Sequence, residues 1–311
     1  MKTHDTKRLT YRLTIVLAGL ILFSTQALAR MPRSSLTVEG NLLGKVRLDN
    51  PPVAELAEKS SKVGSAYFGV NLMCPVIVDH GKTMFFLEGK YCQRRFTYSH
   101  WPEGFSKEID WLYEVSLGLT ARLALNQQWA VIFNLTPQLA TNFEGDELQV
   151  EDLKFQGAVI VEKTFNNRWT AGLGVAYSTT FGKPLPLPIA TFRYESGGRW
   201  HASGYLPADA DLWYRLSSSS EFGLVAHAEG SLYHIPEVFP AGSSIEDPEV
   251  QYLSVLFGPA VQTQINRVKF TVKGGLTYQS LSLFDGTDKI DNSKYDLKPG
   301  AFVNTGIEIS F

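Results

Sequence analysis

His201 and Ser203 stand two positions apart. Alternate residues of an extended strand share a face, so a base and a hydroxyl nucleophile at this spacing would project the same way, as ester hydrolysis requires. No carboxylate close by in sequence is placed to orient the histidine. Trp200 and Ala202 carry the parity of a greasy face, and a polar pair on the wet face of a strand is the favoured reading. Acidic residues offer a second chemistry, since Glu144, Asp146, Glu147, Glu246, Asp247, Glu249, Asp285, Asp288, Asp291 and Asp296 fall in or beside connecting segments. Carboxylate oxygens suit calcium or magnesium, but Asp285, Gly286, Thr287 and Asp288 lack the spacing of a helix-flanked calcium loop. No phosphate-cradling glycine loop, zinc motif or nucleophile elbow occurs in a suitable context, so no cofactor, metal or catalytic residue is expected. The remaining charges recur at alternate positions inside apolar segments. Glu114, Arg122, Lys154, Glu162, Lys269, Lys273 and Glu308 are the foremost of these, with Glu88, Lys90, Arg94 and Glu229 sharing their parity.

Such charges need a strand with one wet and one greasy side. In 111–125, Trp111, Tyr113, Val115, Leu117, Leu119, Ala121, Leu123 and Leu125 share one face, opposite Glu114, Ser116, Gly118, Thr120 and Arg122. A helix would scatter these residues around its axis, and the run is longer than strands of soluble sheets usually are. The pattern recurs from Trp129, from Leu153, from Trp169 and from Val268. Long amphipathic strands in hairpin succession predict an all-β, antiparallel up-and-down transmembrane barrel. Tight breaks at 79–82, 126–128, 166–168, 197–198, 217–220 and 266–267 alternate with other connections at 50–62, 99–110, 144–149, 182–185, 206–209, 235–249 and 284–297. That gives about 14 strands with both termini on one side, or about 12 if the proline-rich strands of 184–217 fail to form. Trp129, Phe165, Trp169, Trp200, Phe222, Phe270 and Phe311 cluster near the tight turns as one aromatic girdle. Trp111, Tyr113, Phe143 and Phe181 suggest the other.

Residues 1–12 are basic, 13–23 are apolar but too short to span a bilayer, and Ala27, Leu28 and Ala29 form a small-x-small cleavage pattern. Residues 1–29 are therefore expected to leave as a signal peptide, with 30–311 forming a single barrel in the bacterial outer membrane. The count of 29 basic and 31 acidic residues falls to 25 and 30 once Lys2, Lys7, Arg8, Arg12 and Asp5 depart, which argues against nucleic acid as a partner. With a tight turn near His80, Cys74 lies opposite a residue near Leu87. Cys92 is then too far along its strand for a disulfide.

Asn304, Gly306, Ile309 and the terminal Phe311 resemble the C-terminal β-signal of outer-membrane barrels, which implies delivery to the barrel assembly machinery. The stretch Pro184, Leu185, Pro186, Leu187, Pro188 and Ile189, followed by Arg199 with Trp200, Tyr205 to Pro207, Leu212 to Arg215, and Glu229, Gly230 and Tyr233, is similar to an uncharacterised family of outer-membrane β-barrel proteins. That resemblance implies architecture and assigns no activity. The spacing of His201 and Ser203 is similar to that in outer-membrane phospholipases and lipid A deacylases, over two residues only. A wide wall whose inner parity mixes both charge signs predicts a passive, weakly selective pathway for small hydrophilic solutes. A structural or interaction barrel without transport is the alternative, and a lipid-modifying hydrolase using His201 and Ser203 the second. Expected partners are outer-membrane lipid, lipopolysaccharide and the assembly machinery.

Overall fold

A segment with every second residue apolar must give that face to lipid or to another layer, and in lipid its backbone groups must all be paired, which only a closed ladder achieves. The computed structural model describes residues 33–49, 61–78, 82–100, 109–143, 148–180, 185–235, 248–285 and 288–311. They form β1 (Ser35–Asp49), β2 (Lys62–Val78), β3 (Thr83–Ser99), β4 (Trp111–Ala124), β5 (Trp129–Thr141), β6 (Leu153–Thr164), β7 (Trp169–Ser178), β8 (Leu185–Glu195), β9 (Trp200–Leu206), β10 (Asp209–Arg215), β11 (Ser220–His234), β12 (Pro248–Ile265), β13 (Val268–Asp285) and β14 (Asp288–Ser310). A 3-10 turn, Val150–Asp152, leads into β6. Neighbours in sequence are neighbours in the wall, and β14 returns to β1, so the barrel is closed. The closing ladder sets Leu36 opposite Ile309 and Asn41 opposite Asn304.

The proline-bearing stretch does form β8 to β10, so the strands number fourteen. Of residues 284–297, expected as a loop, 284–285 and 288–297 are instead strand: Phe284 pairs with Lys289 and Asp285 with Asp288. Where neither face of a hairpin meets lipid, the apolar alternation that marks a strand disappears, and sequence pattern cannot find it. The expected signal segment, 1–29, lies outside the described residues, as do Phe181, Glu144, Asp146, Glu147, Glu246 and Asp247, and the side chains of Asp288 and Asp291.

Alternation fixes which way each residue faces. Leu117, Leu119, Phe133, Leu135, Val161, Leu173, Val272 and Leu276 are exposed on the outside, as lipid-facing residues must be. Trp129, Phe165, Trp169, Trp200, Phe222, Phe270 and Phe311 are exposed in the same sense at the end bearing the termini. The turns at that end are built by side chains that mimic a backbone acceptor. Asn126 Oδ1 accepts from the N–H groups of Gln128 and Trp129, both at 2.9 Å, and Asn166 does the same for Arg168 and Trp169. Cys74 lies opposite Leu87, as expected, and Cys92 opposite Gly69; both thiols are free.

The wall is uneven in height. β9 and β10 have 7 residues each, which at about 3.3 Å per residue and a tilt of about 40° rise only about 15 Å, against an apolar band of about 25 Å. β8 therefore pairs with β9 only from Ala190 to Glu195, and β11 with β10 only from Glu221 to His227. Pro186 and Pro188 lie on the part of β8 above that ladder, where they remove N–H groups that an unpaired edge would leave bare. Above the step, β11 leans across to the far wall: His234 forms a parallel bridge to Thr141 of β5. Gly230 permits this approach, since a Cβ there would stand 2.5 Å from the carbonyl oxygens of Thr180 and Tyr252.

Candidate functional site

Inward-facing residues divide the lumen into a polar and an apolar storey. Toward the end bearing the termini, charges face one another in pairs. Arg122 meets Glu162 at 3.8 Å and Lys269 meets Glu308 at 2.5 Å, while higher up Lys90 Nζ meets Glu114 at 3.2 Å. Arg215 bridges Glu195 at 3.0 Å and Glu221 at 3.3 Å. Midway up, Arg94 of β3 crosses the lumen to Glu229 of β11 at 2.5 Å, its guanidinium 4.1 Å from the ring centre of Tyr252 and 4.9 Å from that of Tyr67. Arg94 is buried, and its Nε and Nη1 have no hydrogen-bond partner among the described residues. A cationic plane between two aromatic faces recovers part of the hydration it has lost.

Above Arg94 the interior turns apolar. Leu48, Val63, Phe96, Leu112, Ala140, Tyr233, Ile235, Val250, Tyr252, Leu281 and Leu297 form one buried cluster, contributed by the far ends of β1 to β5 and β11 to β14 and the residue after β11. These are the tall strands, and β11 leaning onto β5 brings their inner faces within contact distance. A polar seam holds β11 and β12 to the opposite wall beside this layer. Gln138 Nε2 donates to Ser231 Oγ at 2.8 Å, Gln156 Nε2 to Gln138 Oε1 at 2.6 Å, and His234 Nδ1 lies 2.9 Å from Asp152 Oδ1. Lys154 pairs with Glu249 in the same seam. Side chains therefore do here what the backbone ladder does elsewhere in the wall.

The seven candidate lumen residues lie at different heights and in different pairings. Glu114, Arg122, Glu162, Lys269 and Glu308 sit in ion pairs of the polar storey, while Lys154 belongs to the seam. Lys273 forms no ion pair among the described residues and lines a cavity. His201 and Ser203 also face inward: His201 Nε2 lies 3.6 Å from Glu221, its Nδ1 has no partner among the described residues, and Ser203 stands opposite Asp211 and Arg193. Of the four C-terminal residues expected to act as an assembly signal, Asn304 is buried and Gly306 lies opposite Glu39, whereas Ile309 and Phe311 are exposed. Sequence reasoning missed the apolar layer and the seam. A signal was present: at the far strand ends both parities turn apolar, as in Trp111, Leu112 and Tyr113, where a lipid-facing strand needs only one.

Residues 89–310 match the family described as Domain of unknown function (DUF6268). The chain belongs to that family. The DUF6268 match contains all seven candidate lumen residues, His201 and Ser203, and most of the apolar layer, while Glu39, Leu48, Val63 and Tyr67 precede it. No curated protein matches the sequence. Among solved structures, the chain is similar to the COG4313 outer membrane channel from Pseudomonas putida F1, at 9% identity over 91% of this chain and 97% of that one, with a TM-score of 0.45. It is also similar to the translocator domain of the autotransporter NalP from Neisseria meningitidis, at 11% identity over 99% and 96% of the two chains, TM-score 0.39. A third likeness is to the KdgM porin in complex with disordered oligogalacturonate, at 6% identity over 88% and 99%, TM-score 0.32.

Proposed function

We propose that this DUF6268 barrel is an outer-membrane channel for small hydrophilic solutes, shut in the form described here by the apolar layer at the mouth away from the chain termini. One observation supports it above the others: among the described residues the polar lumen is interrupted by one layer of side chains, which a small movement of β11 would part. A folded plug would need far more rearrangement. Hydrophobic constrictions gate by excluding water, and this one rests on a side-chain seam that has lower cost of opening than a backbone ladder. In this reading residues 1–29 leave as a signal, the termini stay periplasmic, and Phe311 serves the assembly machinery. Selectivity is weak, because most of the candidate lumen charges are matched by a partner of opposite sign.

Planar-bilayer recording and sugar-driven liposome swelling test it, using full-length mature protein and the double variant Leu112→Ala, Ile235→Ala. The native barrel is expected to conduct in rare steps and the double variant persistently, with swelling in small sugars. Insertion of both as heat-modifiable barrels without current or swelling would leave a structural or interaction barrel in place of a channel.

A further inference from the structure

Directly beneath the apolar layer lies a cavity of about 150 Å³, lined by Glu39, Tyr67, Val225, His227, Glu229, Leu256, Lys273, Phe302 and Asn304. Three formal charges line it besides His227. Glu229 is answered by Arg94. Glu39 and Lys273 form no ion pair among the described residues, with each other or with a third group. They flank β14 from either side, Lys273 opposite Asn304 and Glu39 opposite Gly306. The carboxylate of Glu39 is held in place: it accepts from the Tyr67 hydroxyl at 3.0 Å, and the Tyr67 ring lies over Gly69, where a Cβ would meet that hydroxyl at 2.4 Å. Val225, Leu256 and Phe302 supply buried apolar walls. His227 is exposed, so the cavity opens toward the wider lumen.

From this arrangement we infer that the cavity binds a compact zwitterion of the α-amino-acid type, its carboxylate at Lys273 and Asn304 and its ammonium at Glu39. Asp209 and Asp211 of β10 stand near Lys273 without pairing with it, and a lone anion at Lys273 would leave Glu39 unanswered. A lone cation at Glu39 would leave Lys273 unanswered. Only a solute carrying both signs matches the two separated charges, and unmatched charges away from bulk water are costly to leave uncompensated. At about 30 Å³ per water the space holds about five waters, or a solute of about six to eight non-hydrogen atoms. The inference deepens the channel reading and rests on it for the route by which a solute arrives.

Calorimetry on detergent-solubilised full-length protein tests the site without reference to current. L-alanine is the probe, propionate and ethylammonium its two halves, and L-tryptophan an oversized control. Saturable heat with L-alanine is expected, falling at least about tenfold for either half, for L-tryptophan, and for Lys273→Gln or Glu39→Gln, with Lys273→Arg restoring it. Each variant is first shown to run as a heat-modifiable barrel. No saturable heat with L-alanine, equal binding of either half, or undiminished binding in Lys273→Gln overturns the assignment. Binding by a barrel that never conducts would keep the site and remove the channel; conduction without binding would do the reverse.

Discussion

From β11 through β14 and on to β5 the strands run 13 to 23 residues, while from β6 to β10 they run 7 to 12. The tall side carries its inner face past the wet part of the lumen until opposing strands touch, and there it becomes apolar and excludes water. On the low side β6 meets the opposite wall through Lys154, while β8 to β10 stay short of it. Arg215 of β10 and Glu195 of β8 are half exposed, each with side chains 42% accessible. Arg94, on the tall side, is 4% accessible. The same chemistry, an arginine and a glutamate, is thus placed in two dielectric settings by strand length alone, and the energetic consequences should differ by several-fold.

The largest expected effect follows from that contrast. Glu229→Ala leaves the Arg94 guanidinium buried and unpaired, with a loss of about 3–5 kcal/mol. Glu195→Ala removes a partner from a pair that water already screens and should cost less than about 1 kcal/mol. Urea unfolding in detergent, followed by tryptophan fluorescence and by band shift without heating, measures both. Equal losses would break the comparison, since burial would then not distinguish the two pairs.

A smaller effect sharpens the same comparison at the junction of the two sides. Gly230→Val places a Cβ where Thr180 and Tyr252 backbone oxygens already stand, and β11 must withdraw from the far wall, at a cost of about 1–3 kcal/mol. Gly44 lies in the β1 bulge with its nearest neighbour, the Ala301 oxygen, 3.8 Å from a Cβ, so Gly44→Ala should change stability by less than about 0.5 kcal/mol. Limited proteolysis adds a local readout: Gly230→Val should expose cleavage sites around the seam before global unfolding. Resistance equal to that of the native barrel would mean that β11 does not depend on its approach to β7 and β5.

The wall was legible in the sequence because lipid imposes a period of two wherever it touches a strand, as at Leu117 and Leu119. Turn chemistry at Asn126 and Asn166 could also be read locally. Parity assigned seven candidate residues to a common face. Parity does not say how far across the barrel a side chain meets its opposite number. Arg94 and Glu229 are 135 positions apart, and Gln138 and Ser231 are 93 apart; only the uneven strand lengths bring each pair together. The apolar layer was hidden for a related reason, since Leu112 and Ile235 are ordinary apolar residues at strand ends until the wall bends inward over them.

The smallest expected effect belongs to the low side, at His201 and Ser203. Both are inward, on a strand whose outward residues Trp200 and Leu206 are exposed to lipid, so an acyl ester in the membrane faces the wrong side of β9. His201 has its Nε2 turned to Glu221, not to Ser203, and the residue across from Ser203 on β10 is Asp211, which orients neither. A hydrolytic triad needs its base within hydrogen-bond reach of the hydroxyl and a third group holding the base. Here the third group holds a histidine that addresses no nucleophile. Purified protein given phospholipid vesicles or lipid A should release no fatty acid, and Ser203→Ala should shift stability by less than about 0.5 kcal/mol. Fatty-acid release by the native protein that disappears in Ser203→Ala would make the low side of the wall a catalytic surface. The short strands would then exist to let lipid reach it.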